Sequence, residues 1–198
     1  EVWHNGAWVH GMLPYDVLRP CNVGGALEAL RIAVLGWPKR LVLVSSVNVL
    51  GGDMAELHPE EPVPCGGSSA SEAAEAAARL ARLPAGYPRS KYVAEALLTR
   101  FFREDVQACA SAPPRSPRKR RLAALTILRP ATISGHTQTG ASNPRCFTGR
   151  VLCGLVELGC WCPELSPIPV QLLLTPVDFC AEAAAALGAP VPSPPLTA

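Results

Sequence analysis

The chain has 198 residues, of which 48% are hydrophobic, and its formal net charge at pH 7 is +2. This length suits one domain, and the apolar fraction is sufficient to fill a core. So small a net charge gives no reason to expect a nucleic-acid or membrane partner, and no apolar run is long enough to span a bilayer. The N-terminus lacks the basic, apolar and small-residue order of a signal peptide, so we expect a cytoplasmic protein.

The first part of the sequence predicts a strand, a helix and a second strand. Glu1-Val2-Trp3 precedes a turn-forming break, which indicates the tail of a strand and a chain that begins in mid-domain. From Asn22 to Gly36 apolar residues recur at helical spacing, so we expect a helix with Asn22 as its N-cap. The continuous apolar run from Leu41 to Val44 is typical of a buried parallel strand. Together these elements make a βαβ unit.

Two helices and a long polar insertion follow. The Ala- and Glu-rich segment from Ser71 to Arg82 favours a peripheral helix, because its alanine face offers little apolar surface. A further helix is expected from Pro88 to about Phe102, since proline is tolerated in a first turn. Residues Asp105 to Arg121 are proline-rich, basic and without periodicity, which predicts a disordered basic insertion.

The last part of the sequence continues the alternation of strands and helices. Leu125 to Leu128 predicts a buried strand, and a polar loop leads from it to a helix at about Arg145 to Leu158. A short strand from Gln171 to Leu174 and an Ala-rich helix from Val177 to Leu187 complete the pattern. This alternation is typical of an open parallel α/β sheet.

A tyrosine stands four residues before a lysine at the start of the helix that contains Pro88. Tyr87 and Lys91 share a helix face, and a nearby ammonium favours the phenolate, so the pair suits proton donation. In an open parallel sheet ligands bind beyond the carboxyl ends of the strands, where Ser46 follows Val44. Folding can therefore bring a hydroxyl, a phenol and an ammonium together, although a solvated Tyr-x-x-x-Lys pair is common by chance.

Two other features are weak signals of function. Cys160-Trp-Cys162 has no second paired cluster and no suitably spaced histidine, so we expect no metal site. The basic run from Arg118 to Arg121 is interpreted as exposed charge rather than as a nucleic-acid site.

Eight short blocks of the sequence occur in the order found in thioester reductase domains, which are extended short-chain dehydrogenase/reductases. Such domains terminate carboxylic acid reductases, aminoadipate reductases and some nonribosomal peptide synthetases. The chain resembles them over nearly its whole length, apart from Gly51 to Pro84, the basic insertion and the extreme C-terminus. The blocks are His4-Asn5-Gly6-Ala7-x-Val9, Leu13-Pro14-Tyr15-x-x-Leu18, Asn22-Val23-x-Gly25, Val44-Ser45-Ser46, Gly86-Tyr87-x-x-Ser90-Lys91-x-x-Ala94-Glu95, Ile127-Leu128-Arg129-Pro130-x-x-Ile133-x-Gly135, Thr139-Gly140-x-x-Asn143 and Thr175-Pro176-Val177-Asp178-Phe179.

The resemblance implies catalytic roles for three residues. Ser46 matches the serine or threonine that hydrogen-bonds the substrate carbonyl, and Tyr87 matches the proton donor. Lys91 matches the residue that lowers the tyrosine pKa and holds the nicotinamide ribose. For Ser46 the alternative is a strand-end hydroxyl that satisfies the backbone.

The resemblance also implies segments that bind the cofactor and the acyl group. Asn5-Gly6-Ala7 matches a segment along the path of the cofactor. Pro130 and Ile133 match a loop beside the nicotinamide, although Ile133 suits an ordinary core position equally well. The cofactor-binding set is thus Asn5, Gly6, Ala7, Tyr87, Lys91, Pro130 and Ile133, and the substrate-binding set is Ser46, Thr139, Gly140 and Asn143.

The function implied is NADPH-dependent release of a carrier-bound acyl thioester as an aldehyde. The acyl group would hang from the phosphopantetheine arm of an acyl or peptidyl carrier domain, which is then the expected partner. Two alternatives stay open: another extended dehydrogenase, such as a fatty acyl-CoA reductase or a nucleotide-sugar epimerase or dehydratase, and a non-catalytic remnant. The first would share Ser46, Tyr87 and Lys91 but not the blocks at Thr139 and His4.

The phosphate-binding loop of the family, a Gly-x-x-Gly-x-x-Gly turn between a strand and a helix, does not occur in the sequence. We therefore expect a partial Rossmann-type, doubly wound parallel sheet that lacks its first βαβ unit, in a single truncated reductase domain over residues 1–198.

For the same reason, we expect this chain alone to be inactive and to bind NADPH weakly or not at all. A nucleotide titration of the isolated chain that gave micromolar affinity would contradict this expectation.

Overall fold

The computed structural model describes residues 1–51, 60–66, 69–84, 86–113, 119–159 and 173–188. The chain forms two compact units, Glu1–Pro130 and Ala131–Ala198. Parallel strands and helices make up both units, which confirms the predicted α/β class. In the described ranges no helix combines the length and the apolar character needed to cross a bilayer. The assignment of the whole chain to a single reductase domain stays a prediction.

The first unit is built on a parallel sheet of three strands, in the order β1, β2, β3. All three lie where the sequence predicts strands. Val42 in the central strand lies opposite Trp3 on one side and Thr126 on the other. Because the strands run in one direction, their carboxyl ends meet at one edge of the sheet. The strands are β1 (Val2–His4), β2 (Arg40–Val44) and β3 (Ala124–Leu128).

The helical segment after β1 differs from the prediction at its N-terminus. It begins at Tyr15 rather than at Asn22. The prediction that Asn22 is the N-cap is wrong, because the residues on both sides of it are helical and its buried side chain bonds other segments. The helix widens into a π turn at Pro20, which lacks the N–H group that a regular turn requires. The segment consists of α1 (Tyr15–Arg19), the π turn (Pro20–Gly24) and α2 (Gly25–Val34).

A short turn and a surface helix follow β2. Val47–Val49 form a 3₁₀ turn directly after Ser46. α3 (Ala70–Arg82) has no buried residue, which confirms the prediction of a peripheral helix. Its N-cap is Ser69, whose Oγ accepts a hydrogen bond from the Glu72 amide at 3.1 Å.

The next helix, α4 (Gly86–Ala110), is longer at both ends than the predicted span from Pro88 to Phe102. Its first turn packs directly on the backbone at the start of α1. A Cβ atom built on Gly86 would lie 2.3 Å from the carbonyl oxygen of Leu13 and 2.6 Å from the nitrogen of Tyr15. No side chain fits in that space without a backbone shift, so glycine is needed where the two helices meet.

The insertion after α4 begins later than the sequence predicts. The prediction of a disordered segment from Asp105 is wrong for residues 105–110, which are helical. Asp105 is buried, and its Oδ2 accepts the amide N–H groups of Arg121 at 2.8 Å and of Leu122 at 3.2 Å. One carboxylate therefore joins the two ends of the insertion, while residues 114–118 lie outside the described residues.

The central strand β2 is buried on both faces. Leu41, Val42 and Leu43 expose no surface, as the continuous apolar run predicts. Leu41 and Leu43 share a face and pack in one cluster with Leu30 of α2 and Leu98 of α4. Complete burial of each such side chain contributes about 1.5–3 kcal/mol. These contacts hold α4 across the sheet and so place its first turns near the strand ends.

The second unit contains two short parallel strands and two helices. β4 is absent from the sequence prediction, because it has only three residues and two of them are exposed. The predicted strand from Gln171 begins outside the described residues, and the observed strand starts at Leu174. Both predicted helices are confirmed with small shifts at their ends. The elements are β4 (Thr132–Ser134), α5 (Phe147–Leu158), β5 (Leu174–Pro176) and α6 (Val177–Gly188).

Candidate active site

The segment after β2 is tied by its backbone to the end of β3. The Ser45 amide donates to the Leu128 carbonyl at 2.7 Å, and the Val47 amide donates to the Pro130 carbonyl at 3.1 Å. Ser46 lies between these two bonds. The neighbouring carboxyl ends of β2 and β3 therefore hold this residue in one position.

Ser46 makes a capping contact as well as a contact with Tyr87. It is 8% exposed, and its Oγ accepts a hydrogen bond from the Asn48 amide at 3.3 Å. The alternative of a strand-end hydroxyl that satisfies the backbone is thus partly correct. Ser46 also hydrogen-bonds Tyr87, and this bond acts to lower the pKa of the phenol. The hydroxyl therefore serves the local turn and the first turn of α4 together.

Tyr87 keeps its proton more firmly than a solvated tyrosine does. Burial raises the pKa of Tyr87 above its ordinary value, and the bond with Ser46 offsets only part of this rise. The net shift is therefore opposite to the lowering by Lys91 that the sequence predicts, because burial outweighs the other contributions. At neutral pH the phenol is consequently a proton donor.

Lys91 is a buried cation at the end of β2. Its side chain is 3% exposed, and its Nζ donates to the Val44 carbonyl at 2.8 Å. Burial lowers the pKa of Lys91, and the charge of Glu95 opposes this shift. An ammonium has three N–H groups, and in the described part of the chain the Val44 carbonyl is the acceptor that it uses. The remaining donors are available to a ligand.

The end of β1 lies beside the same cation. Burial and then the charge of Lys91 lower the pKa of His4. The His4 ring also lies against the start of α2, since a Cβ atom built on Gly25 would lie 3.4 Å from its Cε1. Asn5-Gly6-Ala7 follows directly, so the structure places this predicted cofactor segment at the edge that holds Lys91.

Asn22 connects the loop after β1 to the start of α4. Its Oδ1 accepts the Trp8 amide at 2.7 Å, and its Nδ2 donates to the Trp8 carbonyl at 3.2 Å and to Ser90 Oγ at 2.9 Å. Ser90 in turn donates to the Tyr87 carbonyl at 2.8 Å. Asn22 lies within the π turn, between these two segments, so the residue links the loop after β1 to α4 rather than capping a helix.

A buried ion pair one turn beyond Lys91 has no role in the sequence prediction. Arg129 Nη2 lies 2.9 Å from Glu95 Oε2, and Arg129 Nε lies 3.2 and 3.1 Å from the two carboxylate oxygens. Both residues belong to blocks that carry the family resemblance. Because both residues occur in these blocks and carry opposite charges, the sequence could have suggested that they form a pair.

The other predicted site residues belong to the second unit. Ile133 lies in β4 and is 38% exposed, so it is not the ordinary core residue of the alternative interpretation. Thr139 Oγ1 accepts the Ala141 amide at 3.3 Å, and Asn143 Oδ1 accepts the Arg145 amide at 2.9 Å. Gly140 has a φ of 68°, a conformation that favours glycine. These side chains build a compact turn, and their roles in binding stay predictions.

Asp178, in the first turn of α6, anchors the loop that contains this turn. Its carboxylate accepts the Thr137 amide at 3.3 Å and the Thr137 hydroxyl, and lies 3.8 Å from His136 Nδ1. The bonds from Thr137 lower the pKa of Asp178. The block that contains Asp178 therefore acts within its own unit as a loop anchor.

Within the described ranges no cluster of three or more His, Cys, Asp or Glu side chains could hold a metal ion. Cys160 and Cys162 lie outside those ranges. The site that the structure presents consists instead of hydroxyl, phenol and ammonium groups at one strand edge.

Residues 1–184 match the sequence model of an NAD-binding family described as male sterility protein. The large subunit of L-2-aminoadipate reductase from Penicillium chrysogenum is 31% identical over 158 residues, which are 80% of this chain and 10% of that protein. The nonribosomal peptide synthetase FrzA of Cladobotryum sp is 31% identical over 180 residues, or 90% of this chain and 15% of that protein. The chain thus spans a small part of the length of these relatives.

A solved structure agrees with the fold. The terminal R domain from the myxalamid PKS-NRPS biosynthetic pathway is 34% identical to the chain, with a TM-score of 0.67. The match covers 92% of this chain and 38% of that one. This likeness confirms the Rossmann-type arrangement of the described strands and helices.

The burial of Lys91 leads to a stability prediction. In the pH range between its lowered pKa and the unfolded value of about 10.4, the unfolded chain binds more protons, so the free energy of unfolding rises with pH. We expect Lys91→Met to raise the free energy of unfolding at pH 7 by about 1 kcal/mol or more, because it removes a buried charge. The gain should shrink at pH 10, as measured by urea unfolding.

Lys119→Met is the matched control, because Lys119 is exposed. It should change the free energy of unfolding by less than about 0.5 kcal/mol. Equal destabilisation by Lys91→Met at both pH values would show that burial of the ammonium carries no electrostatic penalty.

Proposed function

Because the chain belongs to the NAD-binding family described as male sterility protein, we propose that it forms the strand-edge part of a thioester reductase active site. The reaction is the NADPH-dependent release of a carrier-bound acyl group as an aldehyde. Family membership and its relatives place the chain among reductases that use a nicotinamide cofactor. We propose in addition that the cofactor is NADPH and that the substrate is a carrier-bound thioester.

The observation that carries the proposal is the meeting of three groups at one strand edge. The Ser46 hydroxyl bonds the Tyr87 phenol, and the Lys91 ammonium caps the end of the strand that leads to Ser46. Ser46 and Tyr87 belong to different elements and are 41 positions apart in the sequence. Their convergence is what distinguishes a site from a chance Tyr-x-x-x-Lys pair.

The polar groups at this edge suit a nicotinamide nucleotide. Lys91 has N–H donors in excess of its one bond to Val44, and the hydroxyls of a ribose are acceptors for such donors. Ser45 Oγ is buried and has no hydrogen-bond partner among the described residues, which favours a ligand at this edge because an unmet buried hydroxyl is unfavourable. Tyr87 and Lys91 would hold the ribose, beside Asn5-Gly6-Ala7 and Pro130.

The residues of this chain would act on the thioester oxygen. NADPH, when bound, supplies the hydride for the carbonyl carbon. As negative charge develops on the oxygen, the hydroxyls of Ser46 and Tyr87 donate hydrogen bonds to it, and Tyr87 transfers its proton. The raised pKa of Tyr87 keeps that proton available at neutral pH. The product is a hemithioacetal, whose C–S bond then breaks to give an aldehyde and a free thiol.

A carrier domain is the partner that this substrate requires. The FrzA relative is a nonribosomal peptide synthetase, and the R domain relative comes from a PKS-NRPS pathway. An acyl group on a phosphopantetheine arm would reach the Ser46 hydroxyl from the open end of the strands. Thr139, Gly140 and Asn143 are proposed to shape the acyl pocket on the strength of the family resemblance.

Replacement of the proposed proton donor tests this function. In the full-length natural protein, Tyr87→Phe should lower the rate of aldehyde formation by about 10²–10⁴-fold, since proton transfer by a positioned side chain contributes that much. The substrates are straight-chain, aromatic and α-aminoacyl groups loaded on a phosphopantetheinylated carrier domain, and the aldehyde is trapped and measured by mass spectrometry.

The control is Tyr92→Phe on the same helix, because the Tyr92 hydroxyl donates to the Pro64 carbonyl at 2.7 Å rather than to a group of the proposed site. It should retain the rate within about threefold, as expected for a residue outside the chemistry. Near-normal turnover by Tyr87→Phe would contradict the mechanism. Absence of aldehyde from every substrate with the unsubstituted protein would contradict the function.

A further inference from the structure

The ion pair between Glu95 and Arg129 is more deeply buried than the other described ion pairs. The Glu95 side chain has no exposed surface, and that of Arg129 is 16% exposed. Arg129 approaches the carboxylate with two nitrogens, and its Nη1 also donates to the Glu61 carbonyl at 3.0 Å. A planar guanidinium that bonds a carboxylate in this manner fixes direction as well as distance.

Arg129 stands in the sequence between the two residues whose carbonyl groups hold the Ser46 segment. The residue before it, Leu128, accepts the Ser45 amide, and the residue after it, Pro130, accepts the Val47 amide. Any movement of Arg129 therefore acts on both bonds that position the Ser46 segment.

Glu95 stands on the face of α4 that carries the other site residues. Tyr87, Lys91 and Glu95 follow one another at intervals of four residues, so they lie along one stripe of the helix. The Lys91 ammonium bonds the end of β2 at the Val44 carbonyl, and Glu95 bonds the end of β3 through Arg129. The backbone bond between Val47 and Pro130 joins the two strand ends. Together these contacts connect the Ser46 segment to α4 on both of its sides.

We propose that Glu95 and Arg129 are positioning residues, which lock the Ser46 segment to α4 so that the Ser46 and Tyr87 hydroxyls meet. The catalytic consequence of this role depends on the proposed function. Its structural part does not, because it concerns only the distance between two elements of this chain.

A buried ion pair of this kind is weak evidence for added stability. Removal of two charges from water opposes folding, and a well-packed apolar pair is often as stable or more so. Such a pair instead fixes the relative position of the two segments that carry it, since its bonds form in one arrangement only. The proposal therefore predicts a local effect at the strand edge rather than a uniform loss of stability.

Amide hydrogen exchange in the full-length natural protein tests the structural part. Glu95→Gln keeps the shape and removes the charge, and Arg129→Lys keeps the charge and removes the planar fork. We expect each variant to speed exchange in peptides that cover residues 44–50 by about tenfold or more, the equivalent of one charge-assisted hydrogen bond. Exchange in peptides from α2 should stay unchanged.

The exposed pair of Arg100 and Glu104, also on α4, supplies the control. Its Nε to Oε1 distance is 2.8 Å, and the two side chains are 52% and 63% exposed. Glu104→Gln should leave exchange at 44–50 unchanged. Unchanged exchange at 44–50 in both test variants, or equal acceleration in 44–50 and α2, would overturn the proposal.

Turnover with the loaded carrier tests the catalytic part. Both variants should lower kcat by about tenfold or more and leave the KM values for NADPH and carrier within about twofold, because Ser46 acts at the transition state. Normal kcat together with faster exchange at 44–50 would overturn the catalytic role. If the unsubstituted protein forms no aldehyde while the variants show the local exchange effect, the proposed function fails and the positioning role stands.

Discussion

A lysine side chain lies in the interior of the first unit, and the site depends on how its charge is satisfied. Lys91 is 3% exposed and donates to the Val44 carbonyl at 2.8 Å. A buried ammonium needs such a partner, since an unpaired charge in the interior is strongly disfavoured. The end of β2 supplies it, so α4 must lie with its first turns over the strand ends. Glycine at position 86 permits this approach, because no side chain fits against the Leu13 backbone.

Polar contacts from one stripe of α4 then organise the strand edge. Tyr87 bonds Ser46, Lys91 bonds the end of β2, and Glu95 bonds Arg129 at the end of β3. Asn22 holds the loop after β1 against the same helix through Trp8 and Ser90. The ends of all three strands are thereby bonded, directly or through Asn22, to the same helix. A constellation held in this way is preorganised for hydrogen bonding to a developing oxyanion, at the expense of burying several polar groups.

Periodicity and apolar runs were sufficient to predict most elements of this fold. β2 was predictable because its run from Leu41 to Leu43 is buried on both faces, and α3 because its alanines leave it peripheral. The approach of Ser46 to Tyr87 and Lys91 was predictable from strand order and family resemblance together. The direction of the Tyr87 pKa shift was not predictable, since it depends on burial that a sequence does not reveal.

The wrong predictions for Asn22 and Asp105 share a cause, which is contact between residues that are distant in sequence. Asn22 looks like an N-cap from its neighbours, but it lies inside a π turn and bonds Trp8 and Ser90. Asp105 looks like the start of a disordered loop, but it accepts two amides from beyond that loop. The residues near Asn22 and Asp105 in the sequence do not indicate these distant bonding partners. β4 escaped prediction for another reason, because three partly exposed residues give no periodic signal.

The contact between Ser46 and Tyr87 is the central claim, and the ionisation of the Tyr87 phenol measures it most directly. Titration of ¹³C-labelled tyrosines by NMR should give a pKa for Tyr87 above the ordinary value of about 10. In Ser46→Ala that pKa should rise further, because the hydrogen bond that lowers it is lost, while Tyr92 should titrate as before. A Tyr87 pKa that is unchanged in Ser46→Ala would contradict the existence of the site.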